Sequence, residues 1–70
     1  MDVCVRLGRR IRLLRTQRDI SQEMLSSRIG MTRANLSRIE NGKAEPGLRV
    51  LRDLARAFGI TLAEFLEGID

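Results

Sequence analysis

Apolar residues recur along the chain at spacings of three and four with polar residues between them, the period of helices that bury one face. Leu7, Ile11 and Leu14 stand at i, i+4 and i+7, and Val3 extends the same stripe toward the start. They predict a first helix from about Val3 to Arg18, with Asp2 placed to cap it. Leu13 falls off the stripe, and Arg6, Arg9, Arg10 and Arg12 are spread around the polar side, where a solvated face and a specific role stay equally open for each. Gly8 sits inside this helix, where glycine costs roughly 1 kcal/mol against alanine. Its presence there predicts close approach of a neighbouring helix. Thr16 to Ile20 reads as a turn.

Leu25 and Ile29, four apart, share one face of a second helix that opens at Gln22 with Ser21 as its cap. Leu36 and Ile39, three apart, define a third, from about Arg33 to Asn41, capped by Thr32. Gly30 falls between these two, where a left-handed residue ends one helix and redirects the chain. Ser26 and Ser27 keep the second helix slim, so that the third can pack close across it. After the third helix, Gly42 or Asn41 can take the left-handed turn. Ala44 to Gly47 forms a short loop, with Pro46 discouraging helix before it. A fourth helix from about Leu48 to Phe58 then buries Leu48, Leu51, Leu54, Ala55 and Phe58, and Gly59 stops it. Thr61-Leu62-Ala63-Glu64 is a capping box that opens a fifth helix, whose Leu62 and Phe65 complete the core. The fold class is all-α, with five helices.

Length and composition narrow the picture. Seventy residues make a single domain, near the lower size at which a core is stable unaided. With 43% hydrophobic residues and one proline the chain is globular and not disordered. No apolar run is long enough to cross a membrane, and the start, MDVCVRLGRR, lacks the apolar core of a signal peptide. A cytoplasmic location is expected, with no membrane partner. Cys4 is the only cysteine and there is no histidine, so neither a disulfide, a metal site nor catalytic-triad chemistry has the residues it needs. Cys4 reads as a small apolar residue near the start of the first helix. No enzyme activity, cofactor, metal or small-molecule effector is expected.

Charge adds a direction. The net charge is +4, but residues 1–43 hold ten Arg and Lys against four Asp and Glu, whereas residues 44–70 hold three against five. A basic front half that contains helices two and three suggests a face for phosphates, and a mildly acidic rear half suggests another use.

The segment QEMLSSRIGMTRANLSRIEN, Gln22 to Asn41, has the spacing of a helix-turn-helix. It resembles the Xre/Cro-type phage-repressor family in Ser21–Gln22, Leu25, the small residue Ser26, Gly30, Leu36, Ser37, Ile39 and the run Glu40–Asn41–Gly42–Lys43. The resemblance extends upstream through Leu7–Gly8, Ile11–Arg12 and Leu14–Arg15, and downstream through Pro46 to Phe65, so it covers most of the chain. Two positions depart from it: Ser26 stands where the family usually has Ala, and Gly47 follows Pro46 where Ser or Thr is usual as a helix cap. The resemblance implies a lambda-repressor-like DNA-binding domain, residues 1–70, with the helix-turn-helix at helices 2–3.

Candidate site residues follow from the third helix and from the family. With Leu36 and Ile39 inward, Arg33, Ala34, Ser37 and Arg38 face outward, with Asn35 beside them. The N-terminal end of such a helix reaches furthest into the major groove. Arg33 can donate to O6 and N7 of guanine together, and Arg38 can reach another base or a phosphate. Ala34 and the Thr32 methyl suit a thymine methyl, and Asn35 a base edge. Gln22, at a helix N-terminus, is placed for a phosphate, as its family equivalent is. The resemblance implies backbone contacts for Asn41 and Lys43 also, and Ser37 joins that group. It further implies that Arg15 pairs with Glu40 and braces the first helix against the third. Leu66, Ile69 and Val50 are apolar residues without an obvious core role, a plausible dimer seam.

The expected function is a sequence-specific, double-stranded DNA-binding transcriptional regulator acting as a homodimer on a pseudo-palindromic operator. Its type is similar to restriction–modification controller proteins or a small phage-type repressor, which act by blocking RNA polymerase or touching it. The alternative is an antitoxin-like or adaptor module that binds a partner protein as well as DNA. Leu13, Val50, Leu66 and Ile69 and the acidic rear half would be its surface.

Overall fold

The computed structural model describes all residues from Met1 to Asp70. It consists of five helices and no strand: α1 (Val3–Gln17), α2 (Gln22–Arg28), α3 (Arg33–Glu40), α4 (Leu48–Phe58) and α5 (Leu62–Leu66). The start of four of them is set by the side chain of the residue before it. Asp2 accepts a hydrogen bond from the backbone N–H of Cys4 at 2.7 Å, Ser21 from that of Met24 at 3.0 Å, and Thr32 from that of Asn35 at 3.1 Å. Thr61 and Glu64 form the reciprocal capping box at the head of α5. The two bonds to Thr61, backbone first, hold the Glu64 carboxyl below its ordinary pKa. The box is therefore intact above the ordinary carboxylate range and is lost as pH falls through that lowered value. Gly47, at the head of α4, supplies no side-chain cap.

The first four helices end alike. In each, an N–H five residues on bonds back across the last turn and the N–H before it bonds three residues back, as in Met31 to Ser26 at 2.9 Å and Gly30 to Ser27 at 3.3 Å. The residue at the turn is left-handed, with φ +69° at Gly30, while Asn41 keeps φ −88° and leaves the turn to Gly42. After α1 that residue is Asp19, at φ +53°, a conformation that aspartate tolerates better than most.

The core comprises Leu7, Ile11, Leu14, Ile20, Leu25, Leu36, Ile39, Leu54, Ala55, Phe58 and Phe65. Leu51 and Leu62, expected as core, are only partly buried at its margin, together with Ile29. Val3 and Leu48, also expected inside, are 47% and 70% exposed. Both lie in the first turn of a helix, where the apolar stripe runs past the elements that cover it. Ile20, assigned above only to a turn, is buried and joins the core.

Two arginines of α1, and Arg18 that caps its end, reach the far ends of other helices. Arg10 donates to the carbonyls of Glu64 and Phe65 at 2.9 and 3.2 Å, at the end of α5. Arg18 donates to the carbonyl of Phe58 at 3.1 Å, at the end of α4, and its guanidinium lies 5.5 Å from the Phe58 ring centre. Arg15 reaches Glu40, at the end of α3. Arg10 is thus not part of a merely solvated face; it meets two carbonyls of the last turn of α5, where a helix runs out of N–H partners.

α3 packs on α1 and α2, and α4 on α5 and α1. The α1–α3 crossing is close because of Gly8. A Cβ there would lie 2.7 Å from the Ile39 carbonyl oxygen and from the Glu40 carbonyl carbon. Gly42 presses on Val5 in the same way. Gly8→Ala is therefore expected to destabilise the fold by about 1–3 kcal/mol through overpacking against backbone, despite the better helix propensity of alanine. Urea denaturation measures it, and an unchanged midpoint would mean that α1 and α3 have room to spare.

Candidate nucleic-acid interface

α3 has two faces of opposite character. Leu36, Ile39 and Glu40 are buried, whereas Arg33, Ala34, Asn35 and Arg38 are exposed and Ser37 is half-buried. Arg33, Ala34 and Ser37 line a shallow cleft with Gln22 of α2, so two of the residues expected at bases and two of those expected at phosphates share a surface. Thr32 is exposed beside them with its hydroxyl engaged at the cap. Arg38 leans the other way, toward the end of α3, with a long 3.5 Å approach to the Lys43 carbonyl. Lys43 and Asn41 are exposed where the chain leaves the helix.

Glu40 organises this surface from below. Its side chain is fully buried, and a buried carboxylate needs partners for both oxygens. Arg15 supplies a two-pronged contact, Nε to Oε2 at 2.9 Å and Nη2 to Oε1 at 3.2 Å, and spends Nη1 on the Ile20 carbonyl at 2.9 Å. Gln22 donates its amide to Oε1 at 3.2 Å. Arg12 donates Nε to the same oxygen at 3.4 Å and Nη2 to the Asn41 side-chain oxygen at 3.1 Å. No buried side-chain nitrogen or oxygen is left without a partner. The last residue of α3 is thereby tied to α1 through two arginines and to the first residue of α2 through a glutamine.

Arg12, for which the sequence left a solvated face and a specific role equally open, lies against Glu40 and Asn41 in the structure. One signal for it was present: it precedes Arg15 by three residues, which puts both on one flank of α1.

A helix-turn-helix family model matches residues 11–65 of the chain. The chain belongs to the helix-turn-helix family. It is 36% identical over 70 residues to the control protein C.MunI of Mycoplasma sp, covering 99% of this chain and 95% of that protein. To the prophage-derived regulator YonR of Bacillus subtilis it is 34% identical over 61 residues, covering 87% of this chain and 56% of YonR. The crystal structure of the restriction-modification controller protein C.AhdI from Aeromonas hydrophila superposes with a TM-score of 0.85 at 34% identity, over 89% of this chain and 94% of that one. This member of the helix-turn-helix family is a DNA-binding transcriptional regulator, and the exposed face of α3 lies within the matched span.

The rest of the surface divides by chemistry. Leu66 and Ile69 line an apolar groove with Val3, Cys4, Leu7, Pro46 and Leu51; Val50 is not part of it and packs half-buried against the core. Partial desolvation and the nearby carboxylates of Asp2 and Glu45 push the Cys4 thiol above its ordinary pKa, so it stays protonated at neutral pH. No helix is long and apolar enough to cross a membrane.

Removing one partner of a buried ion pair strands the other. Arg15→Met is therefore expected to cost about 3–5 kcal/mol, and the Arg15→Met/Glu40→Leu double substitution less than the sum of the two singles. A double-mutant cycle in urea measures this. Strictly additive losses would show that the two side chains are not energetically coupled.

Proposed function

We propose that this regulator binds double-stranded DNA sequence-specifically as a homodimer on a pseudo-palindromic operator, in the manner of a restriction–modification controller or a small phage-type repressor. One observation carries the reading. The outer face of α3 presents Arg33, Ala34, Asn35 and Arg38 to solvent on a helix whose inner end is locked by a buried ion pair. A rigid helix with an uncommitted polar face is suited to reading base edges, because little order has to be gained on binding. None of the chain's ion pairs engages Arg33, so its planar fork is available to guanine. Gln22, Ser37, Asn41 and Lys43 flank that face and supply phosphate contacts, which set register without encoding sequence.

Similarity along nearly the whole length of C.MunI and C.AhdI supports the controller type. The apolar groove at Leu66 and Ile69 supports pairing with a second copy. Two α3 helices about 34 Å apart would then enter successive major grooves on one side of the duplex. Regulation follows from where the dimer sits, either by excluding RNA polymerase or by touching it from just upstream.

Two measurements test this. Duplexes selected by the protein from a randomised library serve as operator. Arg33→Ala is expected to lose about 1–3 kcal/mol on them and to relax preference at one base pair; equal weakening on selected and mixed-sequence duplexes would remove Arg33 from the base contacts. Sedimentation from sub-micromolar to hundred-micromolar protein should show a monomer–dimer equilibrium, weakened by Leu66→Glu. A strict monomer across that range, on DNA as well as free, would sink the dimer.

A further inference from the structure

The donors along the flank of α3 form a continuous row. Gln22 and Ser37 line one cleft with Arg33. Asn41 lies one turn beyond Ser37 and approaches its hydroxyl at 3.5 Å, and Arg12 bonds Asn41 from α1 at 3.1 Å. Within this row Arg12 is placed differently from Arg15. The Arg15 side chain is 14% exposed and spends its donors on Glu40 and Ile20. The Arg12 side chain is 53% exposed and makes only two contacts, to Glu40 and Asn41. A guanidinium carries five N–H donors, so most of those of Arg12 remain unspent and face solvent beside the phosphate-side residues. Arg12 also decides how Asn41 is turned. Because arginine has no acceptor, the oxygen of the Asn41 amide must face it, which leaves the amide NH2 on the outer side, toward Ser37.

We infer that Arg12 is a DNA phosphate contact delivered from α1, outside the helix-turn-helix itself, and that it presets the Asn41 amide as a donor to the same stretch of backbone. The inference rests on the DNA-binding reading of this surface. Glu40 keeps Arg12 from folding back onto α1, and its charge is already matched by Arg15, so the free side of the Arg12 guanidinium is offered outward. One cation on one phosphate adds to affinity without adding sequence preference.

The test is the salt dependence of binding for the wild type, Arg12→Gln and Arg12→Lys, on a mixed-sequence duplex and on the library-selected duplex. Loss of one phosphate contact reduces the slope of log K against log salt by about 0.9. Arg12→Gln should show that reduction equally on both duplexes, and Arg12→Lys, which keeps the charge, should restore the wild-type slope. Thermal melting of each variant separates folding from binding. A lowered melting temperature with an unchanged slope would make Arg12 a structural brace only, and would overturn the inference. So would a loss confined to the selected duplex, or a lysine variant whose slope stays reduced. A wild type that binds neither duplex would overturn the DNA-binding reading of this surface first, and the role of Arg12 with it.

Discussion

One buried carboxylate governs the arrangement of this protein. Glu40 has no access to water, so its charge is tolerable only while its neighbours hold still. Those neighbours come from α1 and α2, and the residue they hold is the last of α3. A helix of eight residues would otherwise be a weakly anchored element, since short helices derive their order from packing and little from propensity. An apolar pair at the same place could equal the stability, but without directional hydrogen bonds. The two-pronged contact of Arg15 instead bonds both oxygens of the carboxylate that ends α3 to a side chain of α1.

The same solution recurs at smaller scale. Helices that pack around a small core end in carbonyl groups that no further turn can satisfy. Arg10 of α1 reaches such carbonyls at the end of α5 and Arg18, the cap residue after α1, reaches one at the end of α4, while Arg15 reaches the side chain that closes α3. The contact suits arginine better than lysine, since a planar fork can serve two acceptors at once. α1 therefore acts as a strut in two senses: its apolar stripe feeds the core, while its arginines tie down the helices around it. Gly8 permits this by letting the backbone of α3 lie directly against it.

This arrangement separates surfaces of different chemistry in space. The outer face of α3 is polar and uncommitted, its flank is rich in donors, and the groove of Leu66 and Ile69 at the start of α1 is apolar. The helix-turn-helix family assignment and the similarity to C.MunI and C.AhdI fit a DNA-binding transcriptional regulator.

The helices and their limits were legible in the residue order because the interactions that start and stop a helix are local. Ser21, Thr32 and Thr61 bond N–H groups three residues away, and Gly30, Gly42 and Gly59 turn the chain by their own backbone freedom. The central core positions, Leu7, Ile11, Leu14, Leu25, Leu36 and Leu54, were legible for a related reason: periodicity assigns a face wherever a helix is covered along its length. It fails at helix ends. Val3 and Leu48 carry the right spacing yet lie exposed, and Ile20 carries none yet is buried, because burial there depends on which neighbour extends over the end. The arginines mark the same boundary. Spacing put Arg10 and Arg12 on a polar face of α1, and only the packing of α5 and α3 around that helix decided that one would meet the carbonyls at the end of α5 and the other a buried carboxylate and an asparagine.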